Sequence, residues 1–223
     1  MAVPCSIVIA SVNMHKRNTV THALLNSDNN TNIFLLQEPW FDTIGTACKD
    51  TACQGVDMLG GIASHNWEVI YPNIPTGAWP KVMAYNQQRA SSPYNHPHFT
   101  LVPCLNVSSH PCLQVLNVIF NEDSWWLVNF YHDIRDGSSL KALLSLDLNM
   151  VIPTMVIGDF NTHSPTWSLP NNPRSRWANQ IEEWAAANLL LLANNPGEIT
   201  QRGMEHEQDS VIDLAWYNAA VVQ

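Results

Sequence analysis

Apolar runs the length of strands punctuate the chain: SIVIASV (6–12), IFLLQ (33–37), WEVIY (67–71), KVMAY (81–85), LQVLNVIF (113–120), WWLVNFY (125–131), TMVIGDF (154–160) and VIDLAWY (211–217). They are rich in Val, Ile, Leu and aromatics, which suit a pleated, buried surface. Several are apolar at both parities, the pattern of strands covered on both faces. Two stretches carry helical spacing instead. In NTVTHALLNS (18–27), Val20, Ala23 and Leu24 share a face, with Asn18 or Thr19 as cap. In SRWANQIEEWAAANLL (175–190), Trp177, Ile181, Trp184 and Ala185 recur on one face behind Ser175 as N-cap, and both tryptophans read as core. Residues 42–66 and 86–112 are rich in Gly, Pro, Asn, Ser and His and read as long loops.

Many strands and few helices predict an α/β architecture of two sheets packed face to face with helices outside, not the regular alternation of a doubly wound parallel sheet. No repeat, linker or composition break divides residues 1–223, so one domain is expected. Hydrophobic residues make up 46% of the chain, enough to build a core rather than a disordered tail. Nine tryptophans exceed what that core absorbs easily, and some are expected in a groove or interface.

The net charge is −9, from 10 Lys+Arg against 19 Asp+Glu, which argues against a basic stripe gripping nucleic acid non-specifically. Contact with DNA or RNA is then expected to be weak and to depend on a metal ion. The five cysteines show no CxxC spacing and read as reduced thiols rather than a zinc site or a disulfide framework. No apolar run reaches the length of a membrane span, and the apolar start reads as a buried strand, not a leader. A soluble intracellular protein, nuclear or cytoplasmic, is the expectation.

Polar residues close the apolar runs. Asn13 ends the first, Glu38 the second, Tyr131 with His132 the sixth, and Asp159 with Asn161 the seventh; Asp213 lies inside the last. Gathered at one edge of a sandwich, these side chains make a coherent set. Glu38 suits a hard cation such as Mg²⁺ or Mn²⁺. Asp159 can position a water, Asn13 and Asn161 donate hydrogen bonds without adding charge, and Tyr131 can donate to a phosphate oxygen, together serving displacement at phosphorus. Taken singly, each has a plainer reading: Asn13 and Asn161 as turn residues, Glu38 before Pro39 as a strand end, Asp213 paired with Arg202.

SVNMHKRN, LLQEPW, NFYHD, GDFNTHSPTW and SVIDLAW, in this order, resemble the endonuclease/exonuclease/phosphatase superfamily. Within it they are most similar to the apurinic-type endonuclease domain of LINE-type (non-LTR) retrotransposons, over nearly the whole chain. The resemblance implies a four-layered α/β sandwich and Mg²⁺- or Mn²⁺-dependent cleavage of a DNA phosphodiester that leaves a 3′-hydroxyl nick. It implies that Glu38 holds the metal with support from Asn13, Tyr131 touches the scissile phosphate, Asp159 positions the attacking water, Asn161 steadies phosphate and water, and Asp213 orients a histidine. His163 and Thr200 fall where relatives lie beside the substrate. A terminal Ser-Asp-His motif is absent from the sequence. The chain is therefore expected to be truncated relative to the family, lacking the last strand, with weak activity and with an exposed sheet edge near VIDLAWY through which it could self-associate. His132 or His163 could replace the missing imidazole if either reaches the phosphate. A catalytically inactive remnant and a phosphatase of small substrates are the alternative functions.

Overall fold

The computed structural model describes residues 6–27, 30–48, 55–88, 99–120, 122–135, 137–148, 152–203 and 208–218, with 44–48 and 55–58 as backbone alone. One sheet has four strands in the order β1 (Ile9–Asn13), β2 (Ile33–Gln37), β6 (Val82–Gln87) and β5 (Trp67–Ile70). The second has six, in the order β11 (Leu190–Leu192), β12 (Asp213–Asn218), β10 (Thr154–Asp159), β9 (Asp123–Tyr131), β8 (Leu113–Phe120) and β7 (Phe99–Pro103). β3 (Asp42–Cys48) and β4 (Gly55–Gly60) form a separate antiparallel pair. The pairs β1–β2 and β9–β10 are parallel and the other pairings antiparallel, so both large sheets are mixed.

Strand parity divides the chain into layers. In β2, Ile33 and Leu35 face the seam between the sheets, where they meet Ala84, Leu116, Val118 and Leu127. Phe34 and Leu36 face outward to Leu25 of α1 (Asn18–Leu25), with Met14, Trp67 and Tyr85. On the far side of the second sheet, Val128, Phe130 and Val156 pack under α2 (Ser138–Leu144) and α3 (Ala178–Ala187), with Leu140, Ile181 and Trp184. Helix, sheet, sheet, helix is the four-layered α/β sandwich, and strands apolar at both parities follow from it.

Two polar side chains interrupt the apolar seam. Gln37 of β2 and Asn129 of β9 are both fully buried. Gln37 Nε2 donates to Asn129 Oδ1 at 2.7 Å, and Asn129 Nδ2 donates to the carbonyls of Met83 at 2.9 Å and Leu36 at 3.3 Å. Ser11 Oγ of β1 completes the group at 3.1 Å from Gln37 Nε2. A hydrogen-bonded cross-tie so deep in apolar surroundings fixes how the two sheets register. Gly158 of β10 sets the tightest approach in the second sheet, because a Cβ there would lie 1.8 Å from the Phe130 carbonyl oxygen of β9.

Several sequence expectations need correction. The buried face of α1 is Thr21 and Leu25 with half-buried Leu24, while Val20 and Ala23 are exposed; neither Asn18 nor Thr19 caps it, since Arg17 holds the N-cap without a side-chain bond. The last helix begins at Ala178 with Trp177, not Ser175, at its N-cap. It stops at Ala187, because Leu189 turns left-handed (φ 52°) and Leu190–Leu192 leave as β11. The supposed loops 42–66 and 86–112 contain β3, β4 and β7. The exposed edge expected at VIDLAWY is also displaced: β12 lies between β10 and β11. Beyond β11 the β12 backbone stays paired, with the Ala193 N–H on the Ala215 carbonyl at 2.8 Å and the Asn194 side chain bonding Ala215 N and Asp213 O. The edges of the two large sheets are β11 and β7, and β1 and β5.

Removing the cross-tie by Asn129→Ala leaves Gln37 with Ser11 alone as its side-chain partner and takes the amide donor from the Met83 and Leu36 carbonyls. Urea unfolding should show a loss of roughly 2–4 kcal/mol, since each buried unsatisfied group costs about 1–3 kcal/mol. Gly158→Ala should do more harm: the β9–β10 ladder must open, and the variant should fail to reach a cooperative folded state by circular dichroism and thermal melting.

Candidate active site

Register aligns the strand ends. In the second sheet Tyr131 pairs with Asp159, and Asp159 with Asp213, so three neighbouring strands present these side chains on one face in one row. At a strand spacing near 4.8 Å the row spans about 10 Å. The row shares parity with Asn129, Ile157 and Met155, so it faces the seam between the sheets at its open end. From the first sheet, Asn13 at the end of β1 and Glu38 directly after β2 face it. The Gln37–Asn129 cross-tie forms the floor: Glu38 follows Gln37, and Tyr131 lies two residues past Asn129. Asn13, Glu38, Tyr131, Asp159, Asn161 and Asp213 therefore meet in one place.

Asn13 Nδ2 donates to Asp159 Oδ2 at 2.8 Å, across the seam, and the Asn161 backbone N–H donates to Asp159 Oδ1 at 3.0 Å. Asn161 Nδ2 reaches the His132 carbonyl at 3.1 Å and ties the β9 and β10 exits together. Tyr131 is hydrogen-bonded to Glu38; its phenol is pushed up by burial first, then by the charges of Glu38 and Asp159, and stays protonated. The Glu38 backbone is clamped on both sides, its N–H on the Lys81 carbonyl at 2.9 Å and its carbonyl accepting from Lys16 N at 2.8 Å. Glu38 and Asn161 both sit at φ 44°, and His15 and Lys16 at φ 46° and 57°; among the described residues Leu189 is the only other non-glycine with positive φ. Left-handed backbone in such residues persists only where surroundings enforce it, and here it gathers at one site.

The electrostatics are one-sided. Asp159 is only 3% exposed, and burial first, then the Asp213 carboxylate, push its carboxyl up to about 7, against the bonds from Asn13 and Asn161. Burial also raises Asp213, opposed by the Thr200 hydroxyl and by His15. Both Asp159 oxygens accept N–H bonds, an arrangement built for the anion, yet neighbouring carboxylates favour the proton. A cation nearby would relieve that conflict, so the donor set fits a hard divalent ion. Among the described residues no three His, Cys, Asp or Glu side chains stand close enough to cage an ion. Glu38, beside Tyr131 and across the seam from Asp159, is a carboxylate that could hold one.

Three expected residues behave differently. His132 is fully buried, its Nδ1 2.8 Å from the Phe160 carbonyl and its ring edge-on to Trp177, so it is a core residue and does not replace a catalytic imidazole. His163 turns its Nδ1 toward Asn172 at 3.4 Å, and burial pushes its imidazole below the usual range. Thr200 accepts from the backbone N–H of Ile212 at 3.1 Å and of Asp213 at 3.0 Å and bonds the Asp213 carboxylate, so its hydroxyl anchors Asp213. Thr200, not Arg202, is thus the partner of Asp213. The imidazole that does reach the site is that of His15, with Nδ1 3.7 Å from Glu38 Oε2, and the His15 backbone N–H donates to Asn13 Oδ1 at 2.9 Å. His15, Gln37 and Asn129 stand inside the motifs SVNMHKRN, LLQEPW and NFYHD, beside the strand-closing residues. For Gln37 and Asn129 the available signal was a lone amide within an apolar run.

This fold and row of strand ends define the class. The endonuclease domain of TRAS1, a telomere-specific non-LTR retrotransposon, superposes with a TM-score of 0.69 at 13% identity, over 97% of this chain and 87% of that one. An endonuclease/exonuclease/phosphatase family protein from Leptotrichia buccalis matches with a TM-score of 0.51 at 10% identity, over 96% and 88%. SmcL matches with a TM-score of 0.50 at 10% identity, over 97% and 84%. The protein has the endonuclease/exonuclease/phosphatase fold. Residues 125–223, from within β9 onward, match the endonuclease-reverse transcriptase family model. No curated protein sequence matches the chain.

The raised Asp159 carboxyl has a consequence for stability. Between its ordinary value near 4 and about 7, the folded protein binds a proton that the unfolded chain releases, so stability is full below about pH 4 and falls as pH rises to about 7. The loss is on the order of 4 kcal/mol, at about 1.4 kcal/mol per unit. Asp159→Asn, which cannot ionise, should flatten this slope in urea titrations from pH 4 to 8.

Proposed function

We propose that this protein is a divalent-metal-dependent DNA endonuclease domain of retrotransposon type, hydrolysing a phosphodiester by water attack to leave a 3′-hydroxyl nick. The observation that carries the reading is the Asn13–Asp159 bond across the mouth of the seam, beside the Glu38–Tyr131 pair. Glu38, clamped by its backbone, is the residue to hold Mg²⁺ or Mn²⁺, which supplies charge neutralisation at the phosphate. Asp159, with one oxygen fixed by Asn13 and the other by the Asn161 N–H, orients the attacking water and takes its proton. The Tyr131 phenol, kept protonated, donates to a non-bridging phosphate oxygen. Asp213, set by Thr200, adds negative potential that favours the cation and keeps Asp159 basic. The acidic balance of the chain supports a substrate grip that is weak without the ion.

Nicking of a supercoiled plasmid in Mg²⁺ tests this. The full chain should convert supercoiled to relaxed circles that a polymerase can extend from the nick. Glu38→Ala and Asp159→Asn should each lower the rate by on the order of 10² to 10⁴, and a chelator should abolish it. No nicking by the unmutated chain, or nicking untouched by Glu38→Ala, would overturn the proposal. In that case release of phosphate from a phosphomonoester panel separates a phosphatase from an inactive remnant.

A further inference from the structure

One aromatic pair on the surface has no part in the core. Phe41 and Trp79 stack with ring centroids 5.3 Å apart and planes 20° from parallel, and Trp79 is 49% exposed. Trp67 and Trp167, by contrast, are buried with the indole N–H donating to the Leu25 and Thr162 carbonyls. Trp79 instead stands on a stiff loop, between Pro75 and Pro80, in a turn closed by the Ala78 N–H on the Pro75 carbonyl at 3.0 Å, with Gly77 at φ 81°. A rigid, preorganised aromatic face held out to solvent loses little entropy on binding.

Its position ties it to the site. Lys81, two residues after Trp79, bonds its carbonyl to the Glu38 N–H, and Phe41 is three residues after Glu38. Phe41 is therefore at most about 11 Å from Glu38 along the chain, or about three nucleotides of a DNA strand at 3.4 Å each. Lys16 and Arg17 directly follow the end of β1, Lys81 directly precedes β6, and Arg135 lies four residues past the end of β9. Arg176 lies over the Trp177 ring at 4.4 Å and Arg135 bonds Asp133, both past the end of β9 or β10. An acidic chain cannot rely on phosphate contacts for grip, whereas stacking on a base adds affinity without charge.

We propose that Phe41 and Trp79 form a stacking platform for an unpaired base of the substrate strand, within a few nucleotides of the cut. The inference rests on the endonuclease reading and gives its substrate class: DNA in which bases near the scissile phosphate are already out of the helix. A fully paired duplex must first unstack a base to use the platform, and a bulge or gap need not.

Binding without catalysis tests this. Fluorescence anisotropy in chelator, so that nothing is cut, compares the full chain on a paired duplex, on the same duplex with a three-base bulge, and on a bulge of abasic residues. The chain should prefer the base-containing bulge by about 5- to 100-fold, the range for stacking one base. Trp79→Ala should erase that preference with little change on the paired duplex, Trp79→Phe should keep most of it, and the abasic bulge should bind like the paired duplex. The part of the affinity that depends on Trp79 should change little with salt, unlike the phosphate part. Equal binding of bulged and paired duplex, equal losses on both in Trp79→Ala, or equal affinity for abasic and base-containing bulges would overturn the platform. A Trp79-dependent preference with no Mg²⁺ nicking would leave the platform standing and remove the endonuclease reading; nicking with no such preference would do the reverse.

Discussion

The hydrogen bond between Gln37 and Asn129 is the constraint on which the site depends. Apolar seams slide cheaply, because Leu against Val is much the same one residue along. An amide pair buried in the seam has fixed partners, each other with Ser11 and the Met83 and Leu36 carbonyls, and a shifted register would break this set. The first sheet thus delivers Glu38 and Asn13 opposite Tyr131, Asp159 and Asp213 of the second. The Asn13–Asp159 bond, 2.8 Å long, repeats the same tie at the rim. One tie in the floor and one at the mouth fix both the distance and the register between the two halves of the site.

Above this frame the charges are set against one another. Asp159 is hydrogen-bonded as an anion and surrounded as an acid, with Asp213 next to it in the sheet and Glu38 across the seam. Left-handed backbone at Glu38 and Asn161 aims both residues inward where an ordinary strand end would splay outward. Local stability has been given up to hold like charges together, an arrangement that makes sense where a cation and a phosphate complete the balance.

The strands that carry the site were legible because each is a dense run of branched and aromatic residues closed by a polar one. Asn13, Glu38, Tyr131, Asp159 and Asn161 could be placed for that reason. What escaped the sequence is local or long-range in character. β3, β4 and β7 lie in stretches rich in Gly, Thr and Pro with little periodicity, and α2 is a single short helix entered from a left-handed Gly137. Leu190–Leu192 continue the apolar run of α3, and only the backbone turn at Leu189 separates them. Whether Thr200 faces a substrate or Asp213 depends on a pairing thirteen residues away in the chain. His132 reads like a catalytic imidazole and is a core one, because burial is decided by α3 and the loop after β10 rather than by its neighbours in sequence.

Gly158 bears on how such chains are recognised. Its place in the GDFN motif comes from the closeness of the β9 backbone, with no room for a single carbon, and not from any part in chemistry. A chain that lost Glu38 and Asp159 would still need this glycine to fold, whereas one that kept both but not the glycine would hold them on a broken sheet. The first letter of the motif therefore belongs to the scaffold and the second to the row of strand-end side chains.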